Sequence, residues 1–239
     1  MSMLILLRHG QSQWNLAHRF TGWADVDLTA AGEAEARRAG ELMAAEALKL
    51  DIVFTSVLTR AIRTAVIAQS VADQLWVPLV KNWRLNERHY GGLTGLDHKS
   101  TAEKYGGEQV RIWRRSYDVP PPPLLPGADY DFAQDRRYTG VTVPVAESLK
   151  TTLERVLPYW TRVIRPRLEA DETVMVTAHG NSLRAIIKHL FAVSDADIPG
   201  LEIPTGNPLM ITLAHNHVPT AARYLDPGSA TKLPPIQGG

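Results

Sequence analysis

Two short apolar runs in this chain end in the same dipeptide. Residues 3–7 lead through Arg8 into His9-Gly10, and residues 173–178 run into His179-Gly180. Runs of this kind form strands buried on both faces of a parallel sheet. In open α/β sheets, ligands bind in the crevice at the carboxyl ends of such strands. Both histidines are therefore candidates for one pocket, although they lie 170 residues apart. A single strand-end His-Gly is more often a structural, hydrogen-bonded histidine; the repetition, with Arg8 beside the first, favours chemistry. Arg60 falls in the opening turn of a helix that follows another strand, and Arg88, Arg114 and Arg115 come later. Arginine offers a planar fork that grips phosphate or carboxylate in bidentate fashion. Taken alone, Arg114-Arg115 beside Trp113 reads as a solvated face. Glu87 sits among these cations, and a carboxyl facing an anionic ligand can carry a proton and pass it on.

Other chemistries lack their residues. There is no cysteine, no Walker A loop, no Gly-x-Gly-x-x-Gly, no Gly-x-Ser-x-Gly and no His-Glu-x-x-His. The paired His and Asp pattern of a di-metal hydrolase is also missing. What remains is an anion site expected to use no metal, with two imidazoles, several arginines and one carboxyl. Those parts suit phosphoryl transfer through a histidine. A neutral imidazole nitrogen is a competent nucleophile, arginines spread the charge of the moving phosphoryl group, and the carboxyl handles the proton.

Elements able to position these groups follow from the periodicity. A helix begins at Thr29, which can cap it, with Gly32, Ala36, Ala39, Met43 and Ala47 along one face. Residues 51–55 read as a strand with Ser56 as a cap, and Ala61, Ala65, Ala68, Ala72 and Leu75 mark the next helix. Residues 76–85 read as extended, 86–96 as loop and 101–115 as one helix. Pro120–Pro123 stop that helix, and the chain then stays irregular to Val145, as a cover over a site would. Leu149, Leu153, Leu157, Trp160 and Ile164 predict a long helix kinked at Pro158. A helix over 182–191 and a last strand over 207–213 complete the pattern. The fold class expected is α/β: a mostly parallel central sheet with helices on both faces, and a helix-and-loop insertion at about 90–147 covering the site. One domain spans 1–225, and 226–239 read as a flexible C-terminal tail.

Composition narrows the function classes. Its 239 residues suit one large domain, and 44% hydrophobic with 21% charged residues exclude collagen-like and fully disordered chains. A formal net charge of +1 gives no support for a nucleic-acid or membrane-surface partner. The N-terminal apolar run is too short for a secretory segment, and no stretch is long enough to span a membrane, so a cytoplasmic location is expected.

The motifs also carry a resemblance. Leu7-Arg8-His9-Gly10-Gln11-Ser12-Gln13-Trp14-Asn15 resembles the signature of the histidine phosphatase superfamily. Phe20-Thr21-Gly22-Trp23, Arg60-Ala61-Ile62-Arg63-Thr64, residues 86–91, Trp113-Arg114-Arg115, Ala178-His179-Gly180-Asn181-Ser182-Leu183-Arg184 and Pro204-Thr205-Gly206 narrow it. Together, over residues 4–213, they resemble the 2,3-bisphosphoglycerate-dependent phosphoglycerate mutase family. The resemblance implies a phosphoglycerate mutase-like fold and a reaction interconverting 2- and 3-phosphoglycerate in glycolysis and gluconeogenesis. It implies 2,3-bisphosphoglycerate as primer and no metal. His9 would be the phosphorylated nucleophile, Glu87 the proton donor and acceptor, and His179 the transition-state stabiliser, with Arg8 and Arg60 beside them. Asn15, Thr21, Gly22, Arg88, Tyr90, Arg114, Arg115, Gly180 and Asn181 would hold the ligands. Where many members have Asn-Lys after Gly95-Leu96, this chain has Asp97-His98 with Lys99 one step later. His98 is expected to take the lysine's place, because Lys99 would be out of step. Related enzymes occur as monomers, dimers and tetramers, so a homo-oligomer is left open. Two rival readings are a broad-specificity phosphatase of the same superfamily and a non-catalytic phosphometabolite binder, the second weakened by the intact His9, Glu87 and His179.

Overall fold

The computed structural model describes residues 2–214 and 217–236. Six strands form one sheet in the order β3-β2-β4-β1-β5-β6. They are β1 (Ser2–Arg8), β2 (Ile52–Thr55), β3 (Leu79–Lys81), β4 (Thr173–Ala178), β5 (Leu209–Leu213) and β6 (Pro219–Tyr224). The four from β3 to β1 run parallel, while β5 and β6 add antiparallel on the β1 side. β6 has no counterpart in the sequence reading, because Pro219-Thr220-Ala221-Ala222 alternates too weakly to signal a strand.

Alternation along each strand feeds two cores. Leu4 and Leu6 of β1, Ile52 and Phe54 of β2, and Val174 and Val176 of β4 face one side. Ile5, Leu7, Val53 and Met175 face the other. The second side is covered by α2 (Ala30–Ala45) and α3 (Thr59–Val71), which follow the short α1 (Gln13–Leu16). Thr29 caps α2 as expected, its Oγ1 accepting the Gly32 N–H at 3.0 Å. The first side is covered by α6 (Leu149–Tyr159), α7 (Arg165–Glu169) and α8 (Gly180–Leu190). Between them lie α4 (His98–Tyr105) and α5 (Gly107–Arg115) of the insertion.

Three expected elements take a different form. The single helix over 101–115 is two, α4 and α5, because Gly106 at φ +86° leaves the helical region. The extended run over 76–85 reduces to β3 and a tight turn at Trp83–Leu85. The long helix kinked at Pro158 widens into a π-turn at Trp160–Ile164 before α7, as the missing proline N–H interrupts the ordinary bonding register. A small apolar cluster joins Leu93 and Val110 of the insertion to Phe20, from the connection between α1 and α2. Of the tail that begins at Asp226, residues 237–239 lie outside the described residues; Leu233 and Ile236 pack against the larger core.

Candidate active site

Register brings the two histidines together. β1 and β4 are parallel neighbours with Arg8 opposite Ala178, so the next residue of each strand is His9 and His179. The connection after β1 passes through α2 on one face, and that after β4 through α8 on the other. The crevice between diverging connections is where an α/β sheet binds its ligand. The two imidazole centroids are 5.0 Å apart, and both rings are buried.

Their hydrogen bonds fix what each can do. His9 Nδ1 lies 2.7 Å from the Gly10 carbonyl. A carbonyl oxygen only accepts, so the proton sits on Nδ1 and the Nε2 lone pair is free. Burial first, then the charges of Arg60 and Arg8, hold the His9 pKa well below the ordinary value. The ring is a neutral base with its lone pair available. His179 Nε2 lies 2.8 Å from Ser56 Oγ, while its Nδ1 finds no partner among the described residues. Burial, Arg60 and His9 keep it neutral as well. Ser56 serves this histidine, although its Oγ also accepts the Leu58 N–H at 3.1 Å, a remnant of the capping role expected of it.

Around the rings is a cavity of about 320 Å³. Arg8, His9, Asn15, Thr21, Gly22, Arg60, Glu87, Tyr90, His98, Arg114, Arg115, Gly180 and Asn181 all line it. His179 is buried beside His9 and is not itself part of the lining. Arg60 is buried and donates to the carbonyls of Gly22 and Ala24 at 2.8 and 2.9 Å; burial lowers its pKa to about 10. Arg8 donates to the Ile203 carbonyl at 2.7 Å and keeps a buried Nε without a partner among the described residues. Glu87 Oε1 accepts the N–H groups of Arg88 and Asn181 at 2.7 and 3.1 Å. A Cβ built on Gly180 would lie 3.6 Å from the Arg8 guanidinium carbon and 3.7 Å from Glu87 Oε2, so glycine there leaves the space between them open.

Arg88 is a second candidate outside the lining. Its guanidinium is fully buried behind the wall, over the Tyr90 ring at 4.7 Å, donating to the Arg114 carbonyl at 3.1 Å. His98 stands inside, its ring 4.3 Å from that of Phe20. Burial and then Arg114 lower its pKa to about 4. Lys99, one residue on, is exposed and outside the lining.

Arg19, Arg184 and Glu202 also line the cavity and were not singled out from the sequence. Arg184 had a signal: it lies three residues after Asn181 on one helix face, and its Nη1 donates to Asn181 Oδ1 at 2.9 Å. Glu202, in an irregular loop, pairs with Arg115 and gave no signal. Among the described residues, no group of three or more His, Asp or Glu side chains is placed to hold a metal ion. No helix among them is long and apolar enough to cross a membrane.

Fold and site together define an α/β protein whose anion cavity is built around two neutral histidines. The family model of the histidine phosphatase superfamily (branch 1) matches residues 4–224, and the chain belongs to that family. Its relatives include the 2,3-bisphosphoglycerate-dependent phosphoglycerate mutase of Caulobacter sp. (strain K31), 64% identical over 99% of this chain and 100% of that one. The enzyme of the same name from Hyphomonas neptunium (strain ATCC 15444) is 57% identical over 99% and 100%. Among solved structures, a mycobacterial glucosyl-3-phosphoglycerate phosphatase superposes with a TM-score of 0.71, at 23% identity over 94% of this chain and 97% of that one. At that identity the likeness speaks for the fold.

Proposed function

We propose that this protein is a cytoplasmic enzyme that interconverts 2- and 3-phosphoglycerate through a phosphohistidine on His9, primed by 2,3-bisphosphoglycerate. The observation that carries the reading is the His9–Gly10 bond, which leaves a neutral Nε2 facing an arginine-lined cavity. The names of relatives at 54–64% identity support the same substrate class. A small, doubly phosphorylated acid suits the cavity, because Arg8, which lines it, keeps a buried Nε–H without a partner among the described residues, a donor suited to its oxygens.

In the forward half, His9 Nε2 donates its lone pair to phosphorus. The bond from phosphorus to the ester oxygen breaks, and that oxygen takes a proton from Glu87. Arg8, Arg60 and His179 hold the charge on the equatorial oxygens. In the return half, the other hydroxyl gives its proton to Glu87 as its oxygen attacks phosphorus, and the N–P bond breaks. Asn15, Thr21, Gly22, Tyr90, His98, Arg114, Arg115, Gly180 and Asn181 orient the carbon skeleton, with Arg88 supporting Tyr90 and Arg114 from behind.

The test is chemical. Incubation with 2,3-bisphosphoglycerate loads one phosphoryl group per chain, labile in acid and stable in base, and peptide mass spectrometry finds it on His9. His9→Ala accepts none and does not turn over 3-phosphoglycerate. A phosphoryl group on serine, or turnover that is independent of the bisphosphate and releases inorganic phosphate, overturns the mutase reading.

A further inference from the structure

Glu87 reaches into the cavity from a main chain that is held on its far side by a buried ion pair. Arg155 of α6 and Glu147, the last residue of the insertion, are 6% and 3% exposed. Arg155 donates to both Glu147 oxygens, Nε to Oε1 at 2.6 Å and Nη2 to Oε2 at 2.8 Å. Its other N–H groups go to carbonyls of one segment. Nη1 donates to Arg84 at 2.6 Å and to Asn86 at 3.2 Å, and Nη2 to Asn86 at 3.2 Å and Glu87 at 3.1 Å. Trp23 Nε1 donates to the same Glu87 carbonyl at 2.6 Å, with its ring against the Arg155 guanidinium. Glu147 in turn accepts the His89 N–H through Oε2 at 2.8 Å, and its own N–H donates to the His89 carbonyl at 2.8 Å. The pair therefore clips the two ends of the insertion together and fastens both to residues 84–87.

A buried ion pair is a poor source of stability, since well-packed apolar side chains of the same volume often do as well or better. What apolar side chains cannot do is hold a run of carbonyls at fixed positions. We propose that Arg155 and Glu147 are positioning residues for the reaction. They set the main chain from Arg84 to His89 so that the Glu87 carboxyl meets the ester oxygen, and they tie that setting to the insertion bearing Arg114 and Arg115. This rests on Glu87 as the proton donor proposed above.

A misplaced acid matters only where the leaving oxygen needs a proton. The alkoxide oxygen of a phosphoglycerate needs one; the oxygen of p-nitrophenyl phosphate leaves as a stable phenolate and needs little help. Rates of His9 phosphorylation by 2,3-bisphosphoglycerate and by p-nitrophenyl phosphate are to be compared in the parent, Glu87→Gln, Arg155→Lys and the double variant. Lysine keeps the charge but lacks the planar fork. Arg155→Lys is expected to slow transfer from the bisphosphate by about 10–10²-fold, the scale of a small misplacement of a catalytic group. Its transfer from the nitrophenyl ester and its Kd for 2,3-bisphosphoglycerate should stay within about threefold of the parent. In the Glu87→Gln background, the same change should add less than about twofold. Equal losses on both substrates, or effects that multiply in the double variant, overturn the proposal. If Glu87→Gln itself slows both substrates alike, the Glu87 assignment fails and the positioning role with it. If Glu87→Gln discriminates but Arg155→Lys does not, the positioning role alone fails. Should Arg155→Lys lose its cooperative thermal transition, Glu147→Gln, which keeps an acceptor in place, enters the same comparison.

Discussion

Because its carbonyl partner cannot donate, His9 carries its proton on Nδ1, and the reactive nitrogen is chosen before any ligand arrives. The histidine was legible as a strand-end His-Gly, but the nitrogen that holds the proton was not, because it depends on where the Gly10 carbonyl points. His179 was legible in the same way. The residues that tune them were harder to see. Ser56 and Arg155 meet their partners only through sheet register or helix docking, across 123 residues for Ser56 and His179. His98 tests the residue scale most directly. In the free protein burial and Arg114 lower its pKa to about 4; an anion bound against the ring favours the imidazolium, so the proposed contact raises that pKa. The contact is fully present below the free pKa, weakens as pH climbs toward the bound pKa, and is lost above it. A lysine at this place stays charged throughout. Measured from pH 5 to 8.5, the affinity of the parent for 2,3-bisphosphoglycerate relative to His98→Lys should fall as pH rises and then level off. Comparison with the variant cancels the titration of the ligand's own phosphates. A flat ratio, with a large loss in Lys99→Ala, gives the role to Lys99 instead.

The helices and strands that hold these residues were legible wherever burial imposes a period. β1, β4, α2 and α3 came close to their expected bounds, since each is covered on a face that the apolar pattern spells out. In the insertion the helical stretch over 101–115 was legible but its division into α4 and α5 was not, because the break lies at one glycine. Close approach between elements left a plainer mark. A Cβ on Gly10 would fall 2.1 Å from the Gly32 carbonyl oxygen, and one on Gly32 equally near the Gln11 carbonyl oxygen. Backbone on both sides means that neither contact can yield by a rotamer change. The loop bearing His9 is thus pressed onto the first turn of α2, and Gly10 also supplies the carbonyl that fixes the imidazole proton. Gly10→Ala should destabilise the fold by about 1–3 kcal/mol, the usual cost of overpacking, seen as a lower denaturation midpoint in urea. It should also depress phosphorylation of His9 under conditions where the variant is still folded. A variant as stable and as active as the parent would show that this contact is slack.

Charge is distributed over the whole molecule in a way that composition hides. The chain carries 26 Lys and Arg against 25 Asp and Glu, yet its cavity is lined by six arginines and two carboxylates, Glu87 and Glu202. Those arginines come from β1, the turn after α1, α3, α5 and α8, so the fold collects cations that the sequence scatters. With both strand-end histidines neutral, the lining holds a formal excess of positive charge, which attracts a polyanion and opposes a divalent cation. In the mechanism proposed above, arginines do the work that a metal does in other phosphoryl-transfer sites. Turnover should be unchanged after exhaustive treatment with EDTA. Vanadate, which can adopt the geometry of a transferring phosphoryl group, should inhibit it, and rising salt should weaken that inhibition by screening the partly open cavity. Loss of activity on chelation, restored by manganese, would mean that the collected charge is insufficient and would overturn the arginine-based mechanism.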